Sequence, residues 1–398
     1  MQSAGKIRLF FWVNALASIG LNIGVIGVNW FIIDVTRKNS ILGLYGAVSL
    51  ISAFLTLTWG GCLTDKYNKI SLLKYCCFGQ GIIFILTGLL HHLSVPPLYI
   101  IYGLAILNMP LIVIFSTVSR GAVPTLWNQE NLDKGNSALE ITIQVGAMLA
   151  ALLTGILYKY VGFSLLLFVG AALAILAAIL LTTSKYSFDY SLPEKEPFLA
   201  GLKKGFSYLT KHFYLFLYGL VAFLPTIVIS ASNTVIPGYV EQTLRQGSMV
   251  YGIGDMCFAV GALAAGFLAP YLTLHLKHNK AAIFFCSVAL LSLGALALWH
   301  SRFLFFLCVF VAGIALAGLR ILLNTTFMKL VQADLLGRVL SLLMALSIAL
   351  QALLSLGVGK MMDLWGACFG FVPLVLLLLL GLIFLLTQHR PSAYQPRR

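Results

Sequence analysis

Long apolar runs separated by short polar stretches make up most of this chain. Each run has about 20 residues or more, and a helix of that length crosses the roughly 30 Å hydrocarbon core of a bilayer. The predicted spans are 9–33, 41–63, 72–90, 97–118, 137–157, 163–181, 213–236, 250–274, 281–299, 303–323, 339–358 and 368–386. The pattern therefore predicts an all-α membrane protein with twelve transmembrane helices, and an even number places both termini on one side.

The longest polar stretch divides the spans into two sets of six. We expect an N-terminal six-helix bundle at 1–183, a cytoplasmic linker at 184–212 and a C-terminal six-helix bundle at 213–398. The second part of the linker has apolar residues at helical spacing with lysines between them, which predicts an amphipathic helix on the membrane surface. A plain tether is the simpler interpretation of the linker, and a regulatory docking site is the alternative.

The two halves also look like copies of one another. Gly162 aligns with Gly366 at an offset of 204, and Gly61 aligns with Gly266 at an offset of 205. Duplicated six-helix halves are what an alternating-access transporter needs, because the halves can rock about a site held between them.

Composition and charge agree with a membrane protein. Apolar residues make up 60% of the chain, charged residues make up 10%, and the mean hydropathy is +0.97. These values exclude an ordinary soluble domain. Of the 26 Lys and Arg residues, 19 lie in the termini, the linker and the loops on one side, and six lie in the loops of the other side. The net charge of +14 therefore indicates cytoplasmic termini and no nucleic-acid partner.

A polar, basic stretch at 60–69 joins the second and third spans, and we expect it to be a tight loop. A carboxylate at the C-terminal end of a helix is disfavoured by the helix dipole, so Asp65 needs compensation from Lys66, from Lys69 or from another helix. The spacing of Gly61, Asp65, Lys66 and Lys69 resembles the loop signature of the major facilitator superfamily. The resemblance implies two pseudo-symmetric six-helix halves and a cytoplasmic latch formed by these residues near Arg338.

Shorter motifs resemble one subgroup of that superfamily, the bacterial macrolide-efflux and siderophore-exporter proteins. They are SRGAVP at 119–124, ENL at 130–132, NSAL at 136–139 and GRV at 337–339. The resemblance implies export across the bacterial inner membrane. The antiporter pattern of the fifth helix is replaced at Ala150, Ala151 and Thr154, so the sequence leaves import open as well.

Polar side chains recur on single faces of several predicted helices, within about 80° of one another on the first and seventh. The candidates for a substrate cavity are Asn14, Ser18, Asn22 and Asn29 on the first helix, Gln144 on the fifth, Thr226, Ser230 and Asn233 on the seventh, and Gln351 on the eleventh. Polar groups facing lipid are costly, so these faces should line an aqueous path. Hydrogen bonding between helices, without substrate contact, is the alternative.

Few ionisable residues are predicted at membrane depth. Asp255, roughly a third of the way into the eighth span, is suited to carrying a proton as access alternates; a fixed pairing or an outer-vestibule carboxylate is the alternative. Glu140 is a second proton-coupling candidate, although Arg120 and Lys134 favour a structural salt bridge there. Arg320, late in the tenth span, either extends to the interface or offers its guanidinium to a substrate carboxylate.

Other chemistry is not predicted. The seven cysteines form no metal-ligand spacing, and no Gly-Lys-Ser/Thr phosphate loop is present. We expect no metal, no other cofactor and no enzymatic activity.

The sequence therefore predicts a monomeric, proton-coupled secondary transporter whose partners are a small-molecule substrate, protons and the lipid bilayer. Export of a siderophore or a macrolide-like drug is the leading hypothesis. Import of a siderophore, an amino acid or a lysophospholipid is the second. A non-transporting receptor or scaffold is the third, and it would not need polar faces through the bilayer.

Overall fold

The computed structural model describes residues 2–66, 68–127, 132–183 and 206–387, and these residues form helices joined by short connections. The helices are α1 (Gln2–Thr36), α2 (Asn39–Lys66), α3 (Lys69–His92), α4 (Pro97–Leu126), α5 and α6 (together Leu132–Thr183), α7 (Phe213–Gly238), α8 (Ser248–His275), α9 (His278–Leu298), α10 (Arg302–Leu330), α11 (Ala333–Trp365) and α12 (Phe371–Thr387). A π-helical turn, Tyr239–Thr243, continues α7, and a 3₁₀ turn, Ala367–Gly370, precedes α12. The predicted all-α class is confirmed.

Within the described ranges, eleven helical segments are long and apolar enough to cross a membrane. The longest, Lys134–Thr182, has 49 residues and contains two of the predicted spans. A straight helix of that length would measure about 73 Å, more than twice the thickness of a bilayer core. The segment therefore has to be two helices, and the break between them is at Gly162.

Gly162 has φ 77° and ψ −179°, a conformation that favours glycine. It separates α5 (132–161) from α6 (163–183). Side chains on both sides of the break approach the same point on α1: a Cβ at Gly27 would lie 2.7 Å from Leu166 and 3.7 Å from Thr154. The chain thus doubles back at Gly162. Gly366, which ends α11, is the other glycine with positive φ in the described part of the chain (106°), at the offset expected for a repeat.

The predicted loop at 60–69 is wrong in extent. The α2 helix continues through Gly60 and Gly61 to Lys66, so that the connection to α3 is only residues 67 and 68. No proline interrupts α2, and Asn68 already caps the next helix by accepting a hydrogen bond from the Ile70 amide at 2.9 Å. The connection is as tight as expected, but most of the polar signature is helical.

Only the end of the predicted linker is described. Residues 206–211 are helical, with Leu209 buried and Phe206 exposed. The amphipathic helix predicted upstream of them lies outside the described residues.

Contacts divide the chain into two units, which we describe separately. Unit 1 holds the described residues through 183 together with Arg245–Met256, the start of α8, and unit 2 holds the remaining described residues. The domain limits expected from the sequence remain a prediction. We call the end of unit 1 that carries the α1–α2 connection (residues 37 and 38) its outer end, after the predicted topology.

Aromatic side chains fill the outer end of unit 1. The Phe31 and Phe163 rings stack with their centroids 3.9 Å apart, and the His91 ring stands nearly perpendicular to both, at centroid distances of 5.1 and 5.3 Å. His91 Nδ1 and Ser164 Oγ are hydrogen-bonded at 2.7 Å, and the Tyr158 hydroxyl donates to Asp34 at 2.8 Å. These contacts hold α1, α3 and the α5–α6 turn together.

A candidate transport site on α1 and α8

Asp255 lies within a candidate membrane span, on the part of α8 that belongs to unit 1. It follows Ser248, the first residue of α8, by seven positions, which places it about 10 Å along the helix axis. The side chain is partly buried. Among the described residues, no cationic side chain forms an ion pair with it. A carboxyl group in such a position is exceptional in a membrane span and marks a functional candidate.

Three side chains form a group at the turn of α8 that precedes Asp255. Tyr251 lies one helical turn before Asp255 on the same face of α8 and interacts with it electrostatically. Asn29 of α1 lies within hydrogen-bonding reach of the Tyr251 hydroxyl. Trp30 of α1 stacks on the Tyr251 ring, with the centroids 5.6 Å apart and the planes at 21°. All three neighbours are at least nine-tenths buried.

The start of α8 packs closely on α5 as well. A Cβ at Gly252 would lie 2.8 Å from the Gly155 Cα and would also meet the Ala151 carbonyl oxygen. Ser248 Oγ donates to the Gly155 carbonyl at 3.1 Å. Since only a residue without a side chain permits this approach, Gly252 and Gly155 fix the height and rotation of Tyr251 and Asp255 in unit 1.

The polar face of α1 is mostly buried. Asn14 is fully buried and donates to the Phe10 carbonyl at 2.8 Å, and Ser18 packs where a Cβ on Gly146 of α5 would lie only 2.6 Å away. Asn22 is partly buried and donates to the Ser18 carbonyl at 2.8 Å. Helix packing therefore occupies the part of this face that holds Asn14 and Ser18, and Asn29 is the member that the structure brings to Tyr251, one turn before Asp255.

The polar face of α7 is arranged differently. Thr226 and Ser230 are partly buried, and Asn233 is exposed. The neighbouring residue Thr234 is buried instead and shares a hydrogen bond of 2.9 Å with Ser355 of α11. Periodicity in the sequence did not single out Thr234, because its partner is 121 residues away along the chain.

The remaining cavity candidates lie on α5, α10 and α11. Gln144 is partly buried. Gln351 is 7% exposed, and its Nε2 donates to Ser347 within its own helix at 2.9 Å, so its amide nitrogen already has a partner. Arg320 is partly buried, and within the described ranges it makes no ion pair. A guanidinium at this depth is a candidate contact for an anionic group.

Glu140 forms the salt bridge that the sequence favoured. Arg120 Nη2 lies 3.1 Å from Glu140 Oε2, and the two side chains are 59% and 44% exposed. An exposed pair of this kind stabilises a fold only slightly. The contact still gives Glu140 a cationic partner. In the described part of the chain, Asp255 has no such partner.

The latch residues are described in part. The surroundings of Gly61 and the side chains of Asp65 and Lys66 lie outside the described residues. Lys69 is 6% exposed, and its ammonium group donates to the Gly121 carbonyl near the end of α4 at 2.5 Å. Lys69 thus joins the start of α3 to α4, a contact that the sequence did not predict. Arg338 is partly buried on α11.

Comparisons with known proteins agree with this architecture. A family model described as the Major Facilitator Superfamily matches residues 10–347. The chain is 22% identical over 343 residues to the staphyloferrin A transporter of Staphylococcus aureus (strain NCTC 8325 / PS 47), with 85% of each chain covered. It is also 22% identical over 254 residues to an uncharacterized MFS-type transporter, YvqJ, of Bacillus subtilis (strain 168), which covers 59% of this chain and 60% of that protein.

Solved structures show the same fold. A mutant of the nucleoside transporter NupG superposes with a TM-score of 0.75 at 13% identity, over 96% of this chain and all of the other. A bacterial homologue of the human lysosomal transporter Spinster gives a TM-score of 0.69 at 15% identity, over 96% and 95% of the two chains. The family match over most of the sequence, the membrane-spanning helices and these superpositions lead to one conclusion: the chain belongs to the Major Facilitator Superfamily of membrane transporters.

Proposed function

We propose that this transporter is a proton-coupled exporter of an amphipathic small molecule, with Asp255 as the proton carrier. The observation that carries the proposal is the position of Asp255, which lies inside a membrane span beside Tyr251 and has no cationic partner among the described residues. A carboxyl group that no fixed cation neutralises can exchange a proton with water when its surroundings open. Glu140, paired with Arg120, is the weaker candidate for this role.

A siderophore with carboxylate groups is the proposed substrate class, and a macrolide-like drug is the alternative within the same mechanism. The similarity to a protein named as a staphyloferrin A transporter supports the first. Arg320 supports it too, because a partly buried guanidinium in a span can hold a carboxylate through two parallel hydrogen bonds. The polar candidates that packing leaves partly or fully open are the proposed lining: Asn22 on α1, Gln144 on α5, and Thr226, Ser230 and Asn233 on α7.

The proposed topology places both termini in the cytoplasm of a bacterial cell and the chain, as a monomer, in the inner membrane. The distribution of Lys and Arg supports the orientation. Asp65, Lys66 and Lys69 remain the proposed latch near Arg338.

Proton movement in inside-out vesicles tests the proposal. An imposed pH gradient is monitored with a fluorescent dye while siderophores and macrolides are added one at a time. We expect one compound class to dissipate the gradient in wild type and to lose that effect in Asp255→Asn, because an amide cannot carry the proton.

Asp34→Asn is the matched control, since Asp34 is an exposed carboxylate of the same unit and should leave proton movement intact. A substrate response that survives in Asp255→Asn would refute the role of Asp255. Accumulation of labelled substrate that is driven in the opposite direction would refute export and favour import.

A further inference from the structure

The start of α8, residues 248–256, is held by two kinds of contact. On α5, Gly155 and Ala151 pack against the backbone at Gly252, and Ser248 donates a hydrogen bond to the Gly155 carbonyl. On α1, the ring of Trp30 stacks on the ring of Tyr251. The glycine contacts are between backbones and have no titratable group. The aromatic contact is the one that connects to an ionisable side chain.

Tyr251 links that aromatic contact to Asp255. The two residues are one turn apart on the same face, and helical side chains lean toward the N-terminus, so the Asp255 carboxyl leans toward the turn that carries Tyr251. Tyr251 is 2% exposed, its ring lies on Trp30 and its hydroxyl is within reach of Asn29. Any displacement of the Tyr251 ring therefore changes what surrounds Asp255.

The groups around Asp255 determine which of its charge states tolerates this packing. Apart from Tyr251 on its own helix, the residues that these contacts place against the start of α8 are Asn29 and Trp30 on α1 and Ala151 and Gly155 on α5, and none of these four is charged or titratable. A carboxylate removed from water without a cation costs much more free energy than a neutral carboxylic acid. The ionised form therefore favours more water than the partly buried position gives it, and a looser packing of the α8 start would admit that water.

We propose that Tyr251 is a positioning residue that couples the charge state of Asp255 to the packing of residues 248–256 on α1 and α5. When the Asp255 carboxylate takes a proton from water, the side chain becomes neutral and the start of α8 packs tightly, with Tyr251 stacked on Trp30. When the proton leaves, the stack loosens and admits more water to the carboxylate. The inference rests on the proposed proton-coupled function and names the element that would control solvent access to its proton carrier.

Amide hydrogen exchange of residues 248–256 tests the coupling without measuring transport. The protein in lipid nanodiscs is labelled at mildly acidic and at alkaline pH, and each rate is divided by the intrinsic rate at that pH. In wild type we expect this segment to be more protected at acidic pH by about tenfold, a factor typical of coupling between two sites. Asp255→Asn, neutral at both pH values, should keep the higher protection throughout.

Tyr251→Phe is the decisive variant, because it keeps a ring for stacking on Trp30 and removes only the hydroxyl that Asn29 can reach. We expect it to lose the pH response of the segment while its thermal unfolding stays near that of wild type. Trp30→Leu should leave residues 248–256 poorly protected at both pH values. Tyr271→Phe, the same change at an exposed tyrosine of the same helix, should behave as wild type.

The outcomes separate this inference from the proposed function. A wild-type segment whose protection does not change with pH, or a Tyr251→Phe variant that keeps the full response, would overturn the coupling even if Asp255→Asn abolishes proton movement. A normal pH response in exchange, together with substrate-driven proton movement that does not need Asp255, would support the coupling and overturn the proposed carrier.

Discussion

The polar faces of α1 and α7 occupy corresponding positions in the two halves of the sequence, but their side chains are buried to different extents in the structure. On α1, Asn14 and Ser18 are buried among neighbouring helices. On α7, Thr226 and Ser230 stay partly open and Asn233 is exposed. A polar stripe in a membrane helix thus shows which face avoids lipid, but it does not show whether helix packing or a cavity receives that face. If both faces line the substrate cavity, as we propose, α7 presents more accessible polar groups to it than the part of α1 that holds Asn14 and Ser18.

The largest effect that would test this comparison concerns the packing of α1 on α5. A side chain at Gly146 would collide with Ser18, because even a Cβ would lie 2.6 Å from the Ser18 Cβ. We expect Gly146→Val to lower the free energy of unfolding by about 1–3 kcal/mol, as overpacking of a core does. Thermal unfolding in detergent would measure it.

Gly357→Val on α11 is the matched control, since nothing lies within 4 Å of a Cβ at that glycine and stability should be unchanged. Equal melting temperatures for the two variants would mean that Ser18 is not packed as described, and that the α1 face is as open as that of α7.

A smaller effect is expected at Asn233. Asn233→Leu removes a polar group that packing does not use, so the unfolding temperature should remain close to that of wild type. If Asn233 contacts the substrate, transport efficiency (kcat/KM) should fall about tenfold, the equivalent of one lost hydrogen bond of about 1.4 kcal/mol. Uptake of labelled substrate into inside-out vesicles would show it. Unchanged efficiency would remove Asn233 from the proposed lining.

The smallest effect is expected at Asn14. Its amide donates to the Phe10 carbonyl, but in the described part of the chain its Oδ1 atom is buried without a hydrogen-bond partner. Because Asn14→Leu removes an unsatisfied acceptor together with one hydrogen bond, its effect on unfolding should stay within about 1 kcal/mol. Transport should remain normal. A strong transport defect in this variant would place Asn14 in the cavity and reverse the comparison between the two helices.

The helices themselves could be predicted from the sequence, because the length of an apolar run is a local property that the bilayer thickness determines. The α2 boundary could not. Gly60 and Gly61 suggest a loop, but with no proline and with Asn68 available as a cap the helix continues to Lys66. The Arg120–Glu140 ion pair could also be predicted from the sequence, because both residues lie close to the same connection, the one between α4 and α5.

The grouping around Asp255 could not be predicted, because its parts are more than 200 residues apart along the chain. Asp255 itself was evident as a charge in an apolar run. Tyr251 could have been noticed, since it is one turn away on the same face, but a tyrosine in a membrane helix is a common packing residue. Its role depends on Trp30 and Asn29, and only the fold brings α1 to α8.

The single-residue connection at Gly162 has a consequence for biosynthesis. No polar loop separates α5 from α6, because the chain reverses within one residue. A solvated loop therefore cannot hold the end of α5 at the membrane surface while α6 is synthesised. We therefore expect the two helices to enter the bilayer together as one helical hairpin. A tag inserted at this glycine would separate the hairpin into two independent insertion events, whereas the same tag after residue 387 would leave insertion undisturbed.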